Sequence, residues 1–318
     1  MPDKVLVYSR FPKAMMLRIG QRFELMDAAG KPPVEVFTAQ QLSGIRAIIS
    51  AGSTPLGADM MDKMPSLGAI ICYGTGYDGI DLAAAAQRGI TIGHSPAANA
   101  AAVADLAVTL MLAVTRRLLP ADNYVRSGSW SSGKPSPLMR PQPGNPGRRI
   151  GLYGMGEIGR KIASRVTAFE SEIAYFSRRR HDDVPYRCLP SLEALAEWCS
   201  VLMIAVRAGA DTHHAVDANI LRKLGSEGYV VNISRGSVID EAALVTALTD
   251  GSIAGAGLDV YEKEPHAPDQ LTGFPNVVLT PHVGGHTLES HAAMQDCVLA
   301  NLEAFFAGKS LPYEVREA

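Results

Sequence analysis

Ile150-Gly151-Leu152-Tyr153-Gly154-Met155-Gly156-Glu157-Ile158-Gly159 is the stretch that decides the fold. Its first four residues read as a buried strand and its glycines as a tight turn. Arg160-Lys161-Ile162-Ala163-Ser164-Arg165-Val166 then opens a helix. Strand, glycine-rich turn and helix, in that order, are the context in which a GxGxxG pattern binds a dinucleotide. Gly154 would allow the turn, Gly156 the approach of backbone to a pyrophosphate, and Gly159 close packing of helix on strand. The pyrophosphate would sit on the N–H groups of Glu157, Ile158 and Gly159, at the positive end of that helix.

The next strand says which dinucleotide. Residues 171–176 read as buried strand and run into Ser177-Arg178-Arg179-Arg180, with no acid before Asp182. An acid at that strand end would bond the ribose 2′-OH of NAD, whereas arginine accommodates the 2′-phosphate of NADP. Charge runs at strand ends are often only solvated, but the glycine loop lies at the right distance upstream. Ser177 can donate a hydrogen bond, and Arg178 and Arg179 can fork onto phosphate oxygens. Each charge-assisted bond is worth up to about 1.5–3 kcal/mol, enough for a preference of tens-fold. The chain therefore reads as an NADP(H) protein in preference to NAD(H).

Composition bounds the rest. At 318 residues the chain is long for one core, so two domains are expected. The balance of 47% apolar and 19% charged residues is that of an ordinary globular protein. A net charge of −2 leaves no footprint for a polyanion, so no nucleic-acid partner is expected. No uncharged apolar run approaches a bilayer span; the longest, 97–115, carries Asp105 and reads as a buried helix, so no membrane contact is expected. Met1-Pro2-Asp3-Lys4 leads straight into a short strand at 5–8, without the apolar core of a signal peptide. Cys72, Cys188, Cys199 and Cys297 lack CxxC or zinc spacing and read as reduced thiols of a cytoplasmic protein, with no metal site.

Residues 47–50, 69–73 and 90–92 also predict buried strands, and 80–87 a helix. Residues 99–119 predict a long helix, capped by Asn99 and stopped near Pro120. The Pro/Gly/Ser-rich stretch 127–148 predicts a surface loop or arm. Strands at 149–153, 171–176, 200–206, 229–233, 254–258 and 277–280 follow, with helices notably at 192–198, 217–224 and 241–249, and a closing helix at 290–306. This alternation predicts an α/β protein with doubly wound parallel sheets.

Polar residues cluster at three strand ends, where ligands bind in open α/β sheets. They are Asn232-Ile233-Ser234-Arg235-Gly236, Leu258-Asp259-Val260-Tyr261-Glu262-Lys263-Glu264-Pro265, and Leu279-Thr280-Pro281-His282-Val283-Gly284-Gly285-His286. Further motifs are Gly74-Thr75-Gly76-Tyr77-Asp78-Gly79-Ile80-Asp81, Val103-Ala104-Asp105, Ser127-Gly128-Ser129-Trp130 and Arg235-Gly236-Ser237-Val238-Ile239-Asp240-Glu241. In this order, with the glycine loop, they resemble the D-isomer-specific 2-hydroxyacid dehydrogenase family over essentially the whole chain. The closest type is the NADPH-dependent glyoxylate/hydroxypyruvate reductase.

That resemblance implies roles. Arg235 matches the arginine that holds the substrate carboxylate and polarises the carbonyl. His282 matches the histidine that protonates the developing alkoxide, and Glu264 the carboxylate that holds this imidazole and favours its protonated form. The backbone N–H groups of Thr75 and Gly76 match the loop that cradles the substrate carboxylate. Asp259 matches a residue near the nicotinamide carboxamide, and Val206 a wall of the cofactor site. His286 lacks the preceding proline and is left as a pocket-wall residue. Arg207, where relatives usually carry proline, reads as a solvated strand end, and Ala100-Ala101-Ala102 replaces polar residues of many relatives.

The family fold implies two Rossmann-like domains with the active site in the cleft between them. Residues 1–98 with 288–318 would form a flavodoxin-like substrate-binding domain, and 99–287 the dinucleotide-binding domain. Two crossings make a hinge, so closure would expel water before hydride transfer. A homodimer is expected through the helix from Asn99 and the 127–148 arm, with Leu138-Met139 as its apolar tip. The expected activity is NADPH-dependent reduction of small 2-keto acids to D-2-hydroxy acids. The alternative is a cofactor-sensing corepressor-type protein with little turnover, for which the chain shows no partner-binding motif.

Overall fold

The computed structural model describes residues 3–135 and 148–316. The chain divides into two compact units, Met1–Asn99 with Thr287–Ala318, and Ala100–His286.

The first unit is built on β1 (Lys4–Val7), β2 (Glu24–Asp27), β3 (Ala47–Ser50), β4 (Ala69–Cys72) and β5 (Thr91–Gly93), in the order β2-β1-β3-β4-β5. Every pairing is parallel. Side chains alternate across a strand, so the two faces are read off residue by residue. Leu6, Ile48 and Ile70 pack on one side with Ile80 and Ala85. Val7, Ile49 and Ile71 pack on the other with Met294, Val298 and Leu302 of the C-terminal helix Leu288–Phe306. The chain returns from the second unit because that second face needs an apolar cover.

The second unit holds β6 (Arg149–Tyr153), β7 (Glu172–Phe176), β8 (Arg187–Cys188), β9 (Val201–Ile204), β10 (Tyr229–Asn232), β11 (Gly255–Leu258) and β12 (Val277–Leu279). Their order is β12-β11-β10-β9-β6-β7-β8, again all parallel. The chain starts in the middle, works out to β8, then crosses back to β9. The strand order therefore reverses between β6 and β9, and ligands bind at such switch points. Leu202, Ile204 and Val230 face the helices Leu192–Trp198, Ala218–Leu224 and Glu241–Thr249. Val201, Met203 and Val231 face Ala100–Thr115 and Glu157–Thr167. Arg165 donates to Asp105 at 2.6 Å and ties the last two helices together, which accounts for the acid of Val103-Ala104-Asp105.

Three local features depart from the expected elements. The long helix ends at Thr115, and Pro120 does not stop it. The chain breaks at Arg117, whose φ is +50°, and Pro120 then sits in the first turn of a second helix, Leu118–Arg126. Proline is tolerated there because a first-turn N–H has no partner within its helix. Edge strand β2 carries acids at both ends, and β8 has two residues, so neither has the apolar run that marks a buried strand. Residues 127–133 form turns, while 136–147, including Leu138-Met139, lie outside the described residues.

All four cysteines are free thiols. Burial pushes the Cys72 and Cys199 thiols up to about 12, so neither is a nucleophile. Among the described residues no group could hold a metal ion, and no helix is long and apolar enough to cross a membrane.

Candidate active site

The glycine turn leaves β6 at the switch point. Gly154 has φ +104°, and a Cβ there would lie 2.6 Å from the Ala205 carbonyl oxygen on the neighbouring strand end. A Cβ on Gly159 would lie 2.2 Å from the Gly154 carbonyl oxygen, so the helix Glu157–Thr167 packs this closely on the turn only because residue 159 is glycine. Gly156 differs, since nothing lies within 4 Å of where its Cβ would be. It is the N-cap residue of that helix and supplies no side-chain cap. The N–H groups of Glu157, Ile158 and Gly159 thus open the helix without partners inside it, and open space stands in front of Gly156. The donors and the space fit a pyrophosphate.

The Gly154 N–H bonds the Phe176 carbonyl oxygen at 2.8 Å, which brings the end of β7 beside the turn. Beyond it Ser177 is half-buried, and its hydroxyl donates to the Arg179 carbonyl. Arg178 and Arg179 are exposed, and among the described residues neither forms an ion pair. Arg180 is engaged with Asp182 at 2.9 Å, and Asp183 with Arg160 at 2.7 Å. The acids that follow in sequence are therefore taken, and two arginines remain for a phosphate. Val206 lies just past β9 with its carbonyl accepting from the Ser234 hydroxyl, and Arg207 beside it is exposed.

The catalytic candidates of the second unit come together at the ends of β10, β11 and β12. Arg235 follows β10 on a loop that Asn232 organises: its amide donates to the Arg235 carbonyl at 2.8 Å and its Oδ1 accepts from Ser234 N–H at 3.0 Å. Asn232 is buried, and its part in shaping the Arg235 loop was not singled out in the sequence, where it stood only as one of the polar residues at a strand end. A Cβ on Gly236 would lie 1.9 Å from the Tyr261 carbonyl carbon, so the Arg235 loop touches the Glu264 loop backbone to backbone.

His282 Nδ1 and Glu264 Oε2 are 2.7 Å apart. Burial pushes the Glu264 carboxyl up, but the hydrogen bond and charge of His282, the Tyr261 N–H and Arg235 together bring it below its ordinary value. Glu264 is therefore ionised and accepts, so Nδ1 carries the hydrogen and Nε2 is the nitrogen left to exchange a proton. His282 has φ +54°, and its N–H bonds the carbonyls of Asp259 and Thr280 at 2.8 and 3.1 Å.

Asp259 is 2% exposed. Its Oδ1 accepts from the Thr280 hydroxyl at 2.7 Å and Val283 N–H at 2.8 Å, and its Oδ2 from Gly284 N–H at 2.9 Å. It thus shapes the turn that carries His282, a task not evident in the sequence. A second network is likewise absent from the sequence expectations. Glu262 N–H donates to Glu241 at 2.8 Å, Glu241 N–H donates back at 3.4 Å, and His214 Nε2 lies 2.6 Å from Glu262. These bonds stitch the chain after Arg235 to the loop that carries Glu264. His286 is exposed, and its N–H bonds the Val283 carbonyl at 2.9 Å.

Thr75 and Gly76 belong to the first unit, on the loop after β4. The Thr75 hydroxyl is 3.0 Å from both the Ser95 carbonyl and Asn99 Oδ1. Among the described residues their backbone N–H groups have no acceptor, as an anion cradle requires.

A family model described as D-isomer specific 2-hydroxyacid dehydrogenase, NAD binding domain, matches residues 108–284. The chain is 40% identical to a glyoxylate/hydroxypyruvate reductase A of Arabidopsis thaliana over 92% of each chain. It is 40% identical to a 2-ketogluconate reductase of Gluconobacter oxydans over 84% of this chain and 85% of that one. Among solved structures, an NADPH-dependent glyoxylate/hydroxypyruvate reductase from Sinorhizobium meliloti in complex with NADP and malonate superposes with a TM-score of 0.93, at 37% identity and over 100% of both chains. Whole-length relatives at this identity leave one assignment: the chain belongs to the D-isomer-specific 2-hydroxyacid dehydrogenase family.

Proposed function

We propose that this enzyme reduces small 2-keto acids, of the glyoxylate and hydroxypyruvate kind, to D-2-hydroxy acids with NADPH. The observation that carries the reading is the Glu264–His282 pair at 2.7 Å, beside the Arg235 loop and on the same sheet as the glycine turn. The relatives named as glyoxylate/hydroxypyruvate reductases support the substrate class. Gly154, Gly156, Glu157, Ile158 and Gly159 would hold the pyrophosphate, Ser177, Arg178 and Arg179 the 2′-phosphate, and Val206 and Asp259 would border the nicotinamide. The reduced nicotinamide, when bound, supplies the hydride.

The chain's own residues supply the rest. Arg235 binds the substrate carboxylate and draws electron density toward the carbonyl oxygen, helped by the N–H groups of Thr75 and Gly76. As the keto carbon is reduced, His282 Nε2 gives its proton to that oxygen, and Glu264 stabilises the imidazolium before transfer. Running backward, Nε2 takes the hydroxyl proton. Residues 99–287 would bind the dinucleotide, and residues 1–98 with 288–318 the substrate. A homodimer fits the exposed Leu118, Leu119 and Trp130 on the helix and arm expected to meet a partner, with exposed Val125 between them.

The test is steady-state oxidation of NADPH and of NADH against glyoxylate, hydroxypyruvate, pyruvate and phenylpyruvate. Fast turnover of NADPH with the small acids is expected. NADPH binding without turnover on any of them would overturn the reading in favour of a sensor.

A further inference from the structure

The loop after β7 is held more firmly than exposed arginines require. Tyr175 is fully buried, and its hydroxyl accepts from His181 N–H at 2.8 Å and donates to the His181 carbonyl at 3.2 Å. Arg160 lies in the first turns of the helix that follows the glycine loop. Its guanidinium forks onto Asp183, Nη1 to Oδ2 at 2.7 Å and Nη2 to Oδ1 at 3.0 Å, while Nη2 also donates to His181 Nδ1 at 2.9 Å. The hydrogen bond from Arg160 holds the Asp183 carboxyl below its ordinary value. The segment 177–183 is thus fastened at its far end to the helix whose N-terminus would meet the pyrophosphate. The hydroxyl of Ser177 fixes the near end through the Arg179 carbonyl. Between these anchors stand Arg178 and Arg179.

We propose that the Arg160–Asp183 pair is a positioning device for the 2′-phosphate of NADP(H). It fixes the spacing between the pyrophosphate helix and the loop of Arg178 and Arg179 without touching the phosphate itself. This rests on the NADP(H) reading above. An exposed pair of this kind contributes little to global stability, so its removal should leave the fold intact and release the loop. The ordering cost of the loop then falls on binding of the phosphate, whereas a cofactor without the 2′-phosphate does not need the loop ordered.

The experiment is equilibrium titration of NADP+ and NAD+ into the wild-type enzyme and three variants: Asp183→Asn, Arg160→Gln and the double variant. Melting temperatures check the fold. Positioning predicts that all three weaken NADP+ by a similar factor, about three- to five-fold, with NAD+ within about two-fold of wild type. The double variant should be no worse than Arg160→Gln alone, because that change already removes the guanidinium bonds to Asp183 and His181. If the pair acted only through charge, Asp183→Asn would tighten NADP+, Arg160→Gln would loosen it, and the double variant would return to wild type. That pattern, equal losses for both cofactors, or no loss at all would overturn the proposal. A wild-type enzyme that binds NADP+ no better than NAD+ would instead remove the reading beneath it.

Discussion

His282 occupies a left-handed backbone conformation, φ +54°, that costs a residue with a Cβ about 1 kcal/mol or more. Asp259 holds it there, through its own carbonyl to His282 N–H and through its carboxylate to Thr280, Val283 and Gly284. The strain aims the imidazole, and Glu264 completes its orientation. Glu264→Gln keeps an acceptor for Nδ1 but removes the charge that stabilises an imidazolium. Its kcat should fall by about 10²-fold with cofactor affinity unchanged. The same variant has a pH signature. The native carboxyl sits below its ordinary 4.5. Its contribution to stability is therefore present above that value and lost as pH falls through the depressed native value. The gap in melting temperature between wild type and Glu264→Gln should be widest near neutrality and close as pH drops below about 4.5. A gap that stays constant with pH would mean that the carboxylate charge contributes nothing to holding His282.

At the scale of elements, what could be read from sequence was what is local. The β6–turn–helix unit runs without interruption from Arg149 to Thr167, so spacing alone announced it. The pair Glu264–His282 is eighteen residues apart across β12, and only the family pattern joined the two. The Glu241–Glu262–His214 network had no signal of either kind, because charged residues near strand ends are usually solvated and here depend on tertiary pairing. The break at Arg117 was hidden for a similar reason: Pro120 is the visible helix breaker, yet it falls where a helix accepts proline. Two glycines of one turn make the local reading testable. Gly159→Ala would place a Cβ 2.2 Å from the Gly154 carbonyl oxygen and should cost about 1–3 kcal/mol of stability through a shifted helix. Gly156→Ala meets no atom within 4 Å, and its φ of −77° suits alanine, so its melting temperature should match wild type. It should nonetheless lose NADP+ affinity, by about ten-fold, because the methyl group stands where the pyrophosphate must come close. Wild-type affinity in Gly156→Ala, measured by titration, would place the pyrophosphate elsewhere.

Over the whole molecule, the two units are built unequally from the chain. The first is discontinuous, since one face of its sheet is covered by Leu288–Phe306 from the far end of the sequence. The second is a single run, Ala100–His286, with an apolar cluster on each face of its sheet made from its own helices. That run also contains the glycine turn, Ser177, Arg178, Arg179, the Arg160–Asp183 pair, Arg235, Glu264 and His282. Thr75 and Gly76 are absent from it. A fragment of residues 100–286 should therefore fold cooperatively and bind NADP+ within about ten-fold of the full chain, since every residue proposed to touch the cofactor is kept. It should turn over no keto acid, because the proposed N–H donors of Thr75 and Gly76 are missing. Titration of the fragment with NADP+, alongside an NADPH oxidation assay with glyoxylate, separates the two expectations. A folded fragment that cannot bind NADP+ would show that the first unit contributes to the cofactor site. One that reduces glyoxylate at the rate of the full chain would remove Thr75 and Gly76 from the proposed substrate site.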